Sequence, residues 1–166
     1  MNFNNFFTIK LKKNSKLPFN KWSDKQNQSR VMPDMDKNNV GVLTGEINDL
    51  VVLDIDVKDK GLDEWNKYLL EYGDIQTPTV KTPSGGYHLY FKRTSSDSAK
   101  NELVTNYLTT KTKYRGVGID IRSNGGYIVA PPSSISGIPY KPVIDFKTPL
   151  SEIPTTLLNW LLLDIK

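Results

Sequence analysis

Apolar and polar positions change period several times along the chain, and each change marks an element. The sharpest case is "LVVLDIDV", Leu50 to Val57, a short β-branched run bounded by Asn48-Asp49 and by Lys60-Gly61. It predicts a strand. "LDEWNKYLLEYG" follows, with Leu62, Trp65 and Leu69 at helical spacing and Gly73 as the stop, so a strand feeds a helix. "TPTVKTPSGGYHLYFKR" predicts a strand, a glycine turn and a second strand. "VGIDIRSNGGYIVAPPS" predicts a hairpin, Val117 to Arg122 and Tyr127 to Ala130, joined by Ser-Asn-Gly-Gly and ended by Pro131 and Pro132.

The remaining segments are less patterned. "VGVLTG", Val40 to Gly45, reads as a strand ending at glycine, and residues 12–39 as polar loop with one short helix. "SSDSAKNELVTNYLTTKTKYRG" reads as a surface excursion, helical in part. "SEIPTTLLNWLLLDIK" predicts a helix with Pro154 in its first turn. It is apolar on most sides, so it packs into this domain or against a further one. There is no internal repeat. The expected class is α+β with a mostly antiparallel sheet. One domain suits 166 residues: residues 1–39 as an N-terminal part, 40–150 as the core, and 151–166 as a terminal helix leading to a further domain.

Alternation along a strand puts Asp54 and Asp56 on one face and Val51, Leu53, Ile55 and Val57 on the other. Paired carboxylates repel unless positive charge lies between them or one is protonated. Two readings stand: a divalent-cation site built of hard oxygen ligands, or an edge strand with a solvated polar face. An EF-hand loop is excluded, because the fifth, sixth and twelfth places from Asp54 hold Lys58, Asp59 and Trp65. Asp120 in "VGIDIR" is a third acid, sharing its face with Gly118 and Arg122. Alone it reads equally as a surface partner of a Lys or Arg. Three acids on neighbouring strands would complete a two-metal site for phosphoryl or nucleotidyl transfer.

His88, the chain's one histidine, follows "PSGG" and shares its face with Tyr90 and Lys92. It reads either as a structural residue or as part of a phosphate site. In the second reading Ser84, the backbone of Gly85 and Gly86, His88, Lys81 and Arg122 bind a triphosphate. Other chemistries drop out. No Gly-x-Ser-x-Gly or Walker A motif is present, and one histidine excludes a His-x-His metal site. "SGGYHLYF" departs from the aromatic signature of RNA-recognition modules, with His88 where a small residue belongs.

Composition narrows the picture modestly. Hydrophobic and charged fractions of 37% and 24% are those of an ordinary globular chain. The absence of cysteine rules out disulfides and thiolate metal sites. A net charge of +4 is compatible with a phosphate-bearing partner. Basic residues cluster in "KLKKNSK" and at Lys111 to Arg115. The start, "MNFNNFFTIKLKK", carries no signal-peptide core, and no apolar run is long enough to span a bilayer. The expected location is the cell interior, without secretion or membrane association.

The order "LDID", "TPSGGYHLYF", "GIDIRSNGGYIVAPPS" resembles the primase-polymerase (prim-pol) domain of the archaeo-eukaryotic primase superfamily, found in plasmids, phages and large DNA viruses. Its motifs are Asp-hydrophobic-Asp/Glu, small-x-His and hydrophobic-Asp. They match Asp54/Asp56, Gly86-Tyr87-His88 and Ile119-Asp120. "SKLPFNKW" (Ser15 to Trp22) and "NVGVLTG" resemble the family's N-terminal segment. The resemblance implies an RRM-like, mostly antiparallel sheet with flanking helices plus a small N-terminal α/β part. It implies Asp54, Asp56 and Asp120 as catalytic ligands of Mg²⁺ or Mn²⁺ in a two-metal site. It implies His88, helped by Ser84 and Arg122, on the nucleotide's phosphates. Partners would be a DNA template and primer, dNTPs or NTPs, and a helicase domain or protein. The reaction would be attack of a 3′-hydroxyl on the α-phosphate, extending primers and in some members starting them. The zinc stem of some relatives is excluded by the lack of cysteine. Two other functions compete: a non-catalytic nucleic-acid-binding module, whose DNA binding would be indifferent to divalent ions, and a metal-dependent nuclease, which would shorten a primer rather than lengthen it.

Overall fold

The structure, a computed structural model, describes residues 5–110 and 116–163. The basic run Lys111 to Arg115 lies outside the described residues. Two antiparallel layers face each other. The first is a three-stranded sheet of β1 (Thr8–Lys12), β2 (Asn38–Leu43) and β7 (Tyr127–Ala130), in the order β1-β2-β7. The second is six-stranded. Its members are β3 (Leu50–Ile55), β4 (Thr79–Lys81), β5 (Tyr87–Lys92), β6 (Ile119–Arg122), β10 (Lys141–Ile144) and the short β11 (Ser151–Glu152). Its order is β10-β4-β5-β3-β6, and β11 alone pairs parallel, against the end of β5. A small hairpin, β8 (Ser134–Ile135) with β9 (Ile138–Pro139), precedes β10. Helices α1 (Gly61–Tyr72), α2 (Ser98–Tyr107) and α3 (Thr155–Leu161) complete an α+β architecture. Among the described residues no helix is long and apolar enough to cross a membrane.

β3 is the centre of the molecule, and both of its faces are used. Val51, Leu53 and Ile55 pack into a core with Trp65 and Tyr68 of α1, Val104 of α2, and Leu157, Leu158 and Trp160 of α3. Leu50 and Val52, on the other face, pack with Val80 and Tyr90 against Ile9, Val42 and Ile128 of the smaller sheet. Burying each such side chain contributes roughly 1.5–3 kcal/mol, so two cores hold one strand in place. Asp54 stands on the second face, next after Val52, where the apolar row gives way to carboxylates.

Several sequence expectations change. Ile119–Arg122 and Tyr127–Ala130 are strands, but they do not form a hairpin: β6 pairs with β3 and β7 with β2. Ser-Asn-Gly-Gly does make a turn, with Gly126 N–H on the Ser123 carbonyl at 3.1 Å and Gly125 at φ +71°. It carries the chain from one sheet to the other instead, because Ile119 and Ile121 are needed in one core and Ile128 and Ala130 in the other. Thr44, just past β2, fixes the crossing by bonding the carbonyls of Gly126 and Ser123. β1 was not anticipated, although Ile9 and Leu11 are buried and Lys10 and Lys12 exposed, a plain period of two. The C-terminal helix starts later than expected, since Ser151–Glu152 form β11 and Pro154 is its N-cap. Val57 is not core; it lies beyond the end of β3 and is 47% exposed.

A candidate metal and nucleotide centre

Strand register builds the site. Asp54 pairs with Asp120 of β6 on one side and with His88 of β5 on the other, and His88 pairs in turn with Val80 of β4. Residues in register on adjacent strands share a face, so Asp120, Asp54 and His88 form a row across three strands. Asp56 stands one step further, just past the strand end. Its N–H donates to the Gly118 carbonyl at 2.8 Å and its own carbonyl accepts from Leu62 N–H at 2.8 Å. One carboxylate oxygen each from Asp54, Asp56 and Asp120 lies within 4.8 Å of the others.

Basic groups border the acids unevenly. His88 Nε2 is 3.2 Å from Asp54 Oδ1, and Arg122 donates to Asp120 Oδ2 at 3.1 Å. Burial pushes the Asp54 carboxyl up, but His88, by charge and hydrogen bond, together with Arg122 and Lys16 outweighs it and holds the group below the usual range. Asp56 goes the other way: burial first, then the charges of Asp54 and Asp120, push it up. It forms no ion pair among the described residues. Three converging carboxylates, one of them made reluctant to ionise by burial and by the other two, are a donor set that fits a hard divalent cation.

A cavity of about 280 Å³ opens beside this row. Asp54, His88 and Arg122 line it, with Lys16, Trp22, Tyr127 and Tyr140. The Trp22 and Tyr127 rings meet edge to face at 5.4 Å, and the Tyr127 hydroxyl donates to the Lys16 carbonyl at 2.9 Å. The Tyr140 ring lies 5.7 Å from the His88 ring. Burial and the Asp54 and Asp56 charges push the Tyr140 hydroxyl up, so it stays a neutral hydrogen-bonding group. His88 Nδ1 is buried with no hydrogen-bond partner, which leaves the ring one unused bond.

Of the residues singled out in the sequence, Asp54, Asp56, Asp120, His88 and Arg122 come together. Gly85 and Gly86 form the turn from β4 to β5. That turn lies against the end of β3: a Cβ on Gly86 would be 2.1 Å from the Ile55 carbonyl oxygen, and one on Gly85 would touch Val57. Ser84 is exposed in the same turn, its Oγ 3.3 Å from Thr82 Oγ1, and it flanks the cluster without lining the cavity. Lys81 is not brought in. It pairs with Tyr87, one residue out of step with His88, and so stands on the opposite face. Lys16, Trp22, Tyr127 and Tyr140 were not foreseen. Lys16 and Trp22 lie in "KLKKNSK" and "SKLPFNKW", segments marked for charge and for resemblance respectively; Tyr140 carries no local signal.

The model of the bifunctional DNA primase/polymerase N-terminal family (Prim-Pol) matches residues 4–156. The chain belongs to that family. Comparison with curated proteins gave no match. Prim-Pol membership supports a DNA primase/polymerase type of nucleotidyltransferase, with DNA and nucleotides as the substrate classes.

The reluctant charge of Asp56 gives a stability prediction. Its folded-state pKa is raised, so ionising it costs stability. That cost is absent below the ordinary carboxylate range and fully present once pH has risen past the folded value. Asp56→Asn should therefore raise Tm in EDTA at pH 7 by about 2–4 °C, and the gain should vanish at pH 3. Mg²⁺ or Mn²⁺ should raise Tm of the unsubstituted protein more than that of the variant. Differential scanning fluorimetry at both pH values reads all of this; a lower Tm for the variant at pH 7 would refute it.

Proposed function

We propose that this Prim-Pol domain is a metal-dependent nucleotidyltransferase that extends primers on a DNA template, in plasmid, phage or viral replication. The observation that carries the reading is the convergence of Asp54, Asp56 and Asp120 to within 4.8 Å beside a cavity lined by His88, Arg122 and Lys16. The three acids would hold Mg²⁺ or Mn²⁺. When bound, such ions supply Lewis acidity toward the reacting phosphate.

The chain's own groups do the rest. Arg122 and Lys16 put positive charge at the cavity, where an entering triphosphate and departing pyrophosphate carry negative charge. Arg122 also braces Asp120, so it positions one acid while facing the phosphates. His88 holds Asp54 through Nε2 and adds its ring to the cavity wall where the phosphates would lie. The N–H groups of Gly85 and Gly86 are spent within their own turn, on the Thr82 carbonyl at 3.0 Å and on Thr82 Oγ1 at 3.1 Å, so of this stretch only the exposed Ser84 hydroxyl is left to serve a phosphate. The Trp22–Tyr127 wall offers a flat apolar surface to a base. The primer's 3′-hydroxyl attacks the α-phosphate, the new P–O bond forms, and pyrophosphate leaves. A helicase domain or protein is the accompanying activity such a replication domain would use.

A primer assay tests the proposal, on primed and unprimed templates, with dNTPs or NTPs and with Mg²⁺, Mn²⁺ or EDTA. Growth of the labelled primer only with a divalent ion and nucleotides is the expected result. Shortening of the primer, or no incorporation with either ion, would overturn it.

A further inference from the structure

A second cavity, about 390 Å³ and larger than the one at the acids, lies along β1 and the excursion that follows it. Its walls include Pro18, Phe19, Trp22, Val31, Met32 and Pro33. Phe19 is 50% and Val31 76% exposed, so this is a surface groove with an apolar floor. Its charged lining residues are Lys10 and Asp34, and Asp34 is already paired with Lys37 at 3.8 Å. Nothing in it resembles an acid–base or nucleophilic constellation. It is built to bind.

The surrounding charge says what it binds. Residues 1–40 carry eight Lys and Arg against three Asp, a net +5 in a chain whose total is +4. The small lobe therefore holds all of the protein's positive excess. Asp24, like Asp34, is neutralised locally, by Lys21 at 3.6 Å. Lys10 and Lys12 both point outward from β1, on the strand face opposite Ile9 and Leu11. Phe19 and Trp22 in the groove, with Lys10 at its wall and Lys12 exposed on the same strand face, suit one class of ligand above others: a single nucleic-acid strand, whose bases stack while its phosphates meet the cations. Trp22 lines this groove and the acid-bordered cavity alike. A strand lying in the groove is thereby led to the site.

We infer that the groove between β1 and the Pro18–Pro33 segment is a binding track for single-stranded DNA that delivers the template to the Asp54–Asp56–Asp120 site. The delivery step rests on the polymerase reading; the binding does not.

The test separates the two. Fluorescence anisotropy of a labelled 15-mer of thymidine, in EDTA and low salt, measures binding with no chemistry. Phe19→Ala, and Lys10→Glu with Lys12→Glu, change exposed side chains outside the proposed catalytic groups, and circular dichroism checks their folding. Each variant should weaken binding about tenfold. The lysine pair should also flatten the log Kd against log salt slope by about 1.4. Photo-cross-links from 4-thiothymidine strands should map to peptides within residues 18–33. Primer extension at saturating template should keep its rate. Unchanged affinity in both variants, cross-links only elsewhere, or no measurable wild-type binding would overturn the inference. A wild type that binds as described but adds no nucleotide would instead sink the polymerase reading and leave this site standing.

Discussion

Asp54→Asn and Asp120→Asn should each lower metal-dependent primer extension by at least about 10³-fold, with Tm held within a few degrees. The substitutions keep shape and remove charge. Asp54 is the middle of the row, in register with both Asp120 and His88, so losing its charge strips the cluster of the ligand nearest the other two motifs. Asp120 shares a hydrogen bond with Arg122, and its loss both removes a donor oxygen and loosens the hold on the guanidinium. The fold has little reason to suffer. Like charges crowd this corner, so removing one relieves repulsion, and at Asp54 that gain is set against the lost attraction to His88, Arg122 and Lys16. Asn at position 120 keeps an amide oxygen that can still accept from Arg122. Steady-state extension of a labelled primer in Mn²⁺, alongside a melting curve, checks both halves. A variant extending within tenfold of wild type would remove that residue from the chemistry.

The centre of this site was legible because its signal is local. A strand with acids at i and i+2 declares its own faces, and Asp54 with Asp56 needed only alternation. The same rule sorted Val51, Leu53 and Ile55 into the core correctly. It would also have excluded Lys81, had the Thr82–Gly86 turn been counted through to the pairing of Lys81 with Tyr87. The partition into two sheets was not legible. Ser-Asn-Gly-Gly is chemically suited to a hairpin, and nothing in residues 117–130 says that the turn changes layers. That choice depends on which core needs Ile119 and which needs Ile128, a tertiary demand that overrides local turn chemistry. Lys16, Trp22 and Tyr140 were missed for a related reason. They reach the cavity from the 13–37 excursion and from the strand order around β10, far in sequence from the acids they face. β1 is different: its alternation was visible and simply short.

The other large effect is on stability, and it comes from glycines chosen for space. Gly61→Ala would put a Cβ 2.0 Å from the Gly118 carbonyl oxygen and 2.4 Å from that of Asp56. Gly118→Ala would put one 2.2 Å from the Lys58 carbonyl oxygen. The obstructing atoms are backbone, so no rotamer change relieves them; the start of α1, the end of β3 and the approach to β6 must separate. Overpacking of this kind costs about 3 kcal/mol, or a fall in Tm of about 6–12 °C at this chain length. Three hydrogen bonds are at risk: Asp56 N–H to the Gly118 carbonyl, Leu62 N–H to the Asp56 carbonyl, and Gly118 N–H to the Asp59 carbonyl. The first two hold Asp56 directly, and the third holds the Gly118 to which it is bonded. Each variant should therefore also lose most of the stabilisation that Mn²⁺ gives the unsubstituted protein, an effect plain loss of stability elsewhere would not produce. Because the two glycines meet each other, the double variant should cost less than the sum of the singles. Urea denaturation with and without Mn²⁺ measures every part. Alanine tolerated at either position to within about 0.5 kcal/mol would mean that these three backbone segments are not held at contact distance, and that Asp56 is placed by something other than the glycines beneath it.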